Sequence, residues 1–129
     1  MVVANKLKLQ VEQLRKAVGT LEEMFSLELT AVTRDATIQR FEYTFELTWK
    51  VMQSRVLLEG KEAPSPRQAI RTAGQVGLIE DVEKWLGFQT ARNYTVHTYD
   101  ESVADWVYVQ ARDFLPEVKK LVEKTGEVI

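Results

Sequence analysis

The feature that most constrains the fold is a run of apolar residues at steps of three and four along the first quarter of the chain. The run consists of Leu7, Val11, Leu14, Val18, Leu21, Phe25 and Leu29. Residues at this spacing share one face of an α-helix, which repeats about every 3.6 residues. The pattern therefore predicts a long amphipathic helix, weakened at Gly19 and interrupted near residues 29–33.

A second run at the same spacing predicts another long helix, which we expect to end at a glycine cap, Gly60. The run consists of Ile38, Phe41, Phe45, Trp49, Met52 and Val56. Ser65 is suited to cap a third helix that starts at Pro66, because the first helical position needs no backbone donor. This third helix is expected to be short and to close at Gly77.

Two more helices are expected in the second half of the chain. The fourth covers roughly residues 79–91, and its inward-facing residues are Val82, Trp85 and Leu86. The fifth begins at a capping box, with Thr98 as the cap and Glu101 three residues on. The apolar residues that follow are Val103, Trp106, Val107, Val109 and Phe114. Pro116 removes one helical hydrogen bond, at a cost of about 3 kcal/mol, and should kink or split this helix.

The chain has 129 residues, which fits one domain, residues 1–129, with no room for a second full-sized one. The sequence contains no convincing strand and no internal repeat. We therefore expect an all-α fold, an antiparallel up-and-down helical bundle of about five helices. Such bundles carry many unrelated activities, so function must be argued from particular residues.

Composition excludes several classes of function. Hydrophobic residues make up 45% and charged residues 28% of the chain, and the net charge of −2 argues against a generally basic nucleic-acid-binding surface. The absence of cysteine excludes disulfides, thiolate metal sites and a cysteine nucleophile. His97 is the single histidine and cannot build a multi-histidine metal site within one chain. We predict no metal and no cofactor.

Neither a targeting segment nor a membrane span is indicated. Residues 1–6 turn polar too soon for the apolar part of a signal peptide. No run approaches the roughly 20 apolar residues that a membrane-spanning helix needs. We expect a cytoplasmic protein with no membrane association.

Chemistry-bearing residues concentrate between the fourth and fifth helices, in residues 92–99. This segment holds His97, an arginine five positions earlier, Arg92, and two tyrosines, Tyr94 and Tyr99. Arg92 and His97 would point apart on one continuous helix, but both can face one cleft if the chain bends before the fifth helix. His97 would then precede a helix N-terminus, where free N–H groups favour an anion.

These residue types suit cleavage of an RNA phosphodiester without metal. A histidine takes or gives a proton near neutral pH, and an arginine offers a fixed fork of donors to phosphate. Because the reaction benefits from both a base and an acid, we hypothesise a symmetric dimer that brings two copies of His97 and Arg92 to one cleft. The alternative is structural: His97 is a hydrogen-bonded turn residue, Arg92 a surface ion pair, and Tyr94 and Tyr99 packing residues.

The second helix carries another group of charged residues, four apart on one face: Glu42, Glu46 and Lys50. Two interpretations are open. The residues form a ladder of salt bridges along the helix, or Glu46 or Glu42 orients Arg92. On the third helix, Arg67 and Arg71 could add positive charge to a groove, although a solvated face is the more ordinary interpretation.

Arg92, His97 and Tyr99 match the R-x4-H-x-Y signature of HEPN-domain proteins, and the chain resembles this family. One branch, the nucleotidyltransferase substrate-binding proteins of bacteria and archaea, is similar in three ordered segments, residues 41–50, 65–67 and 92–101. The resemblance covers about residues 35–114, which is most of the chain.

The resemblance implies a homodimer that forms a two-component system with a minimal nucleotidyltransferase. In related toxin–antitoxin pairs the HEPN protein is a metal-independent ribonuclease toxin, and the nucleotidyltransferase is the antitoxin, which transfers AMP to the signature tyrosine. Carried over to this chain, the resemblance makes Arg92 and His97 catalytic, Asn93 a polar helper and Tyr99 the AMP acceptor. We add as supporting or ligand-binding residues Glu46, Glu42 and Tyr94.

The alternative function is a non-catalytic subunit that binds substrate or nucleotide for the partner nucleotidyltransferase, in the dimer cleft. A structural helical partner with no ligand is a third interpretation. The chain is not itself a nucleotidyltransferase, because it has no Gly-Ser phosphate loop and no paired aspartates on a strand to hold two metals.

Overall fold

A computed structural model describes residues 2–127 and contains, within that range, five α-helices, one 3-10 helix and no strand. The α-helices are α1 (Val2–Met24), α2 (Ala31–Leu57), α3 (Pro66–Gln75), α4 (Val82–Asn93) and α5 (Glu101–Gly126). The 3-10 helix, Tyr94–His97, joins α4 to α5. The all-α prediction is confirmed. The ends of the predicted domain, residues 1, 128 and 129, lie outside the described residues.

Side-chain caps start the helices. Thr30 caps α2, since its hydroxyl accepts the Thr33 N–H at 3.2 Å while Thr33 Oγ1 accepts the Thr30 N–H at 2.7 Å. Ser65 caps α3 as predicted, with Pro66 first in the helix, and accepts the Gln68 N–H at 3.2 Å. These contacts satisfy N–H groups that have no partner within the helix.

Two glycines follow helix ends, as predicted. Gly60 (φ 76°) and Gly77 (φ 78°) lie in the left-handed region, which is strained for a residue with a Cβ. After Gly77, the Leu78 N–H donates to the Ala73 carbonyl at 2.9 Å, so the chain reverses tightly at the end of α3.

The predicted start of α5 is wrong by two residues. The cap is Asp100 and not Thr98, whose hydroxyl donates to the Thr95 carbonyl at 3.2 Å. Glu101 cannot complete a capping box with Thr98, because Arg34 of α2 holds its carboxylate at 2.6 Å. A tertiary contact thus overrides the local capping signal.

Other boundaries also differ from the predictions. The fourth helix begins at Val82, capped by Asp81, and not near residue 79. Leu29 is exposed, because α1 already ends at Met24. Trp106 belongs to the apolar pattern of α5, yet its side chain is on the outer surface of the bundle.

α5 continues through Pro116 as one helix, so the chain is not split there. Phe114 and Val118, two residues on either side, are both fully buried. This burial offsets the missing hydrogen bond and keeps both halves of α5 against the bundle.

Aromatic rings from three helices form the centre of the core. The Phe114 ring of α5 lies 5.2 Å from Phe41 of α2 and 5.4 and 5.7 Å from Phe88 and Trp85 of α4, measured between ring centroids. Edge-to-face packing of this kind adds to the burial of apolar surface. This aromatic packing fixes the position of α4, which ends at the signature segment.

No described helix has the length and apolar character of a membrane span.

Arg34 ties α2 to the first turn of α5. Its guanidinium is buried and lies 2.6 Å from Glu101, 3.1 Å from Asp105 and 3.0 Å from Asp35. The hydrogen bond from Arg34 lowers the pKa of Glu101, and the carboxylates raise the pKa of Arg34. The start of α5 is thereby held beside α2.

Candidate functional site

The signature segment spans three kinds of local structure. Arg92 and Asn93 end α4, residues 94–97 form the 3-10 helix, and Tyr99 lies in the turn before α5. The bend that the sequence argument required between the two helices is therefore present. Each part of the segment is held by different contacts.

Arg92 is oriented by α2. Its Nε donates to Glu46 Oε1 at 2.9 Å, and Trp49 Nε1 donates to the other oxygen of Glu46 at 3.2 Å. Within residues 2–127 the two terminal nitrogens of Arg92 have no protein partner, and the side chain is partly exposed. The contact fixes the guanidinium and leaves two of its nitrogens available to an anion.

Thr95 fastens the 3-10 helix to α2. Its hydroxyl is 2.7 Å from Glu42 Oε2 and 2.8 Å from the Arg92 carbonyl, and only 8% of the residue is exposed. Of the two interpretations of the charged face of α2, the structure therefore has the one in which Glu42 and Glu46 reach the signature segment. Lys50 makes no ion pair within the described part of the chain, so no ladder forms.

His97 lies on the surface. Its Nδ1 is 3.3 Å from the Tyr99 hydroxyl, and its ring lies 6.1 Å from the Tyr94 ring. Tyr99 is 83% exposed, and Asn93 is exposed as well. No hydrogen bond joins His97 to Arg92 among the described residues.

The N-terminus of α5 is not an anion site, which corrects one expectation. Asp100 Oδ1 accepts the N–H groups of Ser102 and Val103 at 2.9 and 3.4 Å and the Ser102 hydroxyl at 2.7 Å. These hydrogen bonds lower the pKa of Asp100, so its carboxylate stays ionised. With Glu101 beside it, this helix start is acidic and repels phosphate.

The arginines of α3 are not part of this site. Arg67 and Arg71 are both exposed, and α3 packs on α2 and α4 without touching the 3-10 helix. Their position fits the solvated-face interpretation. Thr95 lies within the signature segment and Trp106 lies beside its Tyr94 ring, and the sequence interpretation gave neither residue a role. The spacing of Thr95, one turn after Arg92, is the signal that could have found it.

Fold and site together define a class: an all-α bundle whose signature segment, between its last two helices, is clamped by carboxylates of the second helix. Residues 9–127 match the family described as "Nucleotidyltransferase substrate binding protein like". The chain belongs to this family, which confirms the branch inferred from the three sequence segments.

Two solved structures share the fold. A crystal structure of a Thermus thermophilus protein is 40% identical, with a TM-score of 0.83 over 87% of this chain and 98% of that one. A Haemophilus influenzae protein, described as having the fold of a substrate-binding domain of a nucleotidyltransferase, is 30% identical, with a TM-score of 0.69 over 95% and 98%.

A curated relative carries a functional name. "Probable ribonuclease HepT" of Haemophilus influenzae is 38% identical over 92 residues. The matched region is 67% of this chain and 63% of the relative, so the chain spans less than two thirds of that protein.

Proposed function

We propose that this chain is the HEPN-type subunit of a cytoplasmic two-component system with a minimal nucleotidyltransferase, and that it is a metal-independent endoribonuclease toxin neutralised by its partner. The observation that carries the proposal is the Arg92–Glu46 contact of 2.9 Å, which fixes the guanidinium and leaves its terminal nitrogens for a phosphate. The likeness to a relative named as a ribonuclease supports it.

In the proposed reaction a neutral His97 removes the proton of a ribose 2′-hydroxyl, and the 2′-oxygen forms a bond to phosphorus. The bond from phosphorus to the 5′-oxygen breaks, and a protonated histidine returns a proton to that oxygen. The products are a 2′,3′-cyclic phosphate and a 5′-hydroxyl. Arg92 stabilises the charge that develops on the phosphoryl oxygens, and Asn93 donates a further hydrogen bond. Since each chain has one histidine, the acid comes from His97 of a second copy across a homodimer cleft.

Expression without the partner tests this function. Wild-type protein is expected to arrest growth and cleave RNA, and His97→Ala and Arg92→Ala are expected to do neither. Arg67→Ala, which removes an exposed arginine of α3, is the matched control and should behave as wild type. Cleavage by His97→Ala at the wild-type rate would exclude a histidine-dependent reaction.

Tyr99 is proposed as the AMP acceptor. Its exposure of 83% and its hydroxyl 3.3 Å from His97 Nδ1 support this role, because an adenylyl group there adds negative charge where RNA phosphate must bind. The phenol oxygen attacks the α-phosphorus of ATP, and pyrophosphate leaves. Incubation with ATP and the partner should add one AMP mass or more to the wild type and none to Tyr99→Phe. Tyr94→Phe should be labelled normally, and equal labelling of Tyr99→Phe would identify another acceptor.

A second candidate is a non-catalytic subunit that binds substrate or nucleotide for the nucleotidyltransferase. The family description and the description of the Haemophilus influenzae structure favour it. If neither wild type nor His97→Ala affects growth or RNA, this function replaces the first. Nucleotide titration of the complex with the transferase should then show binding that weakens in Glu46→Ala.

A further inference from the structure

A shallow depression of about 340 Å³ lies beside the signature segment. It is lined by Thr90, Tyr94, Ser102, Val103 and Trp106. Thr90 of α4 and Tyr94, the first residue of the 3-10 helix, lie one turn apart, and Ser102 and Trp106 lie one turn apart on α5. The depression therefore runs between two helices, and through Tyr94 it adjoins the segment that holds Arg92 and His97.

Exposed aromatic rings form a row that begins in this depression, at Trp106 and Tyr94, and continues outside it to His97 and Tyr99. The centroids of Trp106 and Tyr94 are 5.6 Å apart, those of Tyr94 and His97 6.1 Å, and those of His97 and Tyr99 6.0 Å. Trp106 is 39% and Tyr94 46% exposed. Exposed rings suit the stacking of unpaired bases, which is how proteins bind single-stranded RNA.

The charges around the depression favour a neutral occupant. None of its lining side chains is charged, and the carboxylates of Asp100 and Glu101 occupy the adjoining start of α5. Phosphate is repelled from this position, whereas a flat, uncharged base is not. The phosphate of the same strand would instead meet Arg92.

The two hydroxyls of the depression select the edge of the base. Thr90 Oγ1 donates its proton to the Leu86 carbonyl at 3.1 Å, and Ser102 Oγ donates to Asp100 Oδ1 at 2.7 Å. A hydroxyl has one proton, so while these contacts hold both oxygens offer lone pairs to a ligand. The matching base edge carries a donor, as the exocyclic amino groups of adenine and cytosine do.

We propose that this depression is a subsite for one unpaired, amino-bearing base of a single-stranded RNA. The base stacks on the face of Trp106 and meets the Tyr94 ring edge-on, since the two rings are inclined at 70°, and its amino group donates to the oxygens of Thr90 and Ser102. The proposal rests on the proposed function for the phosphate site beside it.

The test compares 2′-O-methyladenosine and 2′-O-methylpurine-riboside hexamers, which lack the reactive 2′-hydroxyl and differ only in the 6-amino group. Binding is followed by tryptophan fluorescence and fluorescence anisotropy. Wild type should bind the adenosine hexamer about tenfold more tightly, because purine riboside has no amino hydrogen to donate to the two hydroxyl oxygens. Trp106→Ala should lose about tenfold in affinity for adenosine, which is about 1.4 kcal/mol and within the range for one stacked base.

Three further variants separate stacking, edge recognition and general effects. Trp106→Phe retains a ring and should stay within about threefold of wild type in affinity, with the fluorescence response lost. Thr90→Val should reduce the preference for the adenosine hexamer, because one of the two acceptor oxygens is lost. Tyr43→Ala is the matched control, since Tyr43 is also 39% exposed but lies on α2 with its hydroxyl against Thr20 of α1.

The proposal is overturned if wild type binds the two hexamers equally, or if Trp106→Ala leaves the affinity unchanged. It is also overturned if Trp106→Ala converts a dimer to a monomer in sedimentation, because Trp106 is then a contact between copies. Failure of the ribonuclease proposal gives a different pattern: no RNA is cleaved, but the adenosine hexamer still binds through Trp106. Conversely, cleavage that depends on His97 with no adenosine preference removes only the subsite.

Discussion

Replacing Thr95 by valine removes one hydroxyl and nearly preserves the volume of a residue that is 8% exposed. The lost contacts are those to Glu42 at 2.7 Å and to the Arg92 carbonyl at 2.8 Å. A hydrogen bond to a charged group contributes about 1.5–3 kcal/mol and a neutral one about 0.5–1.5 kcal/mol. One proton serves both acceptors here, and water can replace it at the partly exposed Glu42. We therefore expect Thr95→Val to lower the free energy of unfolding by about 1–2 kcal/mol.

Urea unfolding followed by circular dichroism measures this difference. Thr48→Val is the matched control, since the Thr48 hydroxyl is also buried but bonds only to Thr44 of its own helix, and it should cost less than about 0.5 kcal/mol. A double-mutant cycle with Glu42→Ala should show that most of the loss is shared by the pair. If Thr95→Val matches Thr48→Val, or if the two mutations add independently, Thr95 does not fasten the 3-10 helix to α2.

Three other predictions concern the fold around the site. Arg34→Met should lower the free energy of unfolding, measured in urea, by about 1–2 kcal/mol. This loss is smaller than that for a fully buried ion pair because the carboxylates around Arg34 are exposed. The control Arg71→Met, at an exposed position of α3, should change the free energy of unfolding by less than about 0.5 kcal/mol. The pKa of Asp100 is lower in the folded chain than in the unfolded one, so its contribution to the free energy of unfolding is complete above about pH 4 and is lost as the pH falls further. In an acid titration, Asp100→Asn should therefore lose less stability than wild type. Pro116→Ala should raise the melting temperature and increase the free energy of unfolding by about 1–3 kcal/mol, because it restores a helical hydrogen bond at an exposed position of α5. An unchanged or lower melting temperature would show that α5 depends on its proline.

Local sequence signals predicted those parts of the fold that local physics controls. Ser65 before Pro66, and Gly60 and Gly77 after their helices, act through backbone groups within a few residues, so their effects do not depend on the rest of the chain. Thr98 carried an equally good local signal and was wrong. Arg34, which is 67 residues from Glu101 in sequence, holds the carboxylate that the predicted box needed.

In the candidate site, too, some features follow from the local sequence and others from tertiary packing. The signature spacing placed Arg92, His97 and Tyr99 on one short segment, and the four-residue spacing of Glu42, Glu46 and Lys50 on one face of α2 made Glu42 and Glu46 candidates. Spacing alone favoured the ladder over the cross-helix contact, because residues four apart on a helix lie together whatever they face.

By itself the sequence determined the helical class, most helix ends, the absence of cysteine chemistry and the residues of the signature, because periodicity, caps and composition are local properties. Only the tertiary structure decided that Glu46 meets Arg92, that Asp100 closes the start of α5 to anions, and that Trp106 faces outward beside Tyr94. Each of these depends on how α2, α4 and α5 pack. That packing is set by the whole core around Phe114 and is not encoded in any one segment.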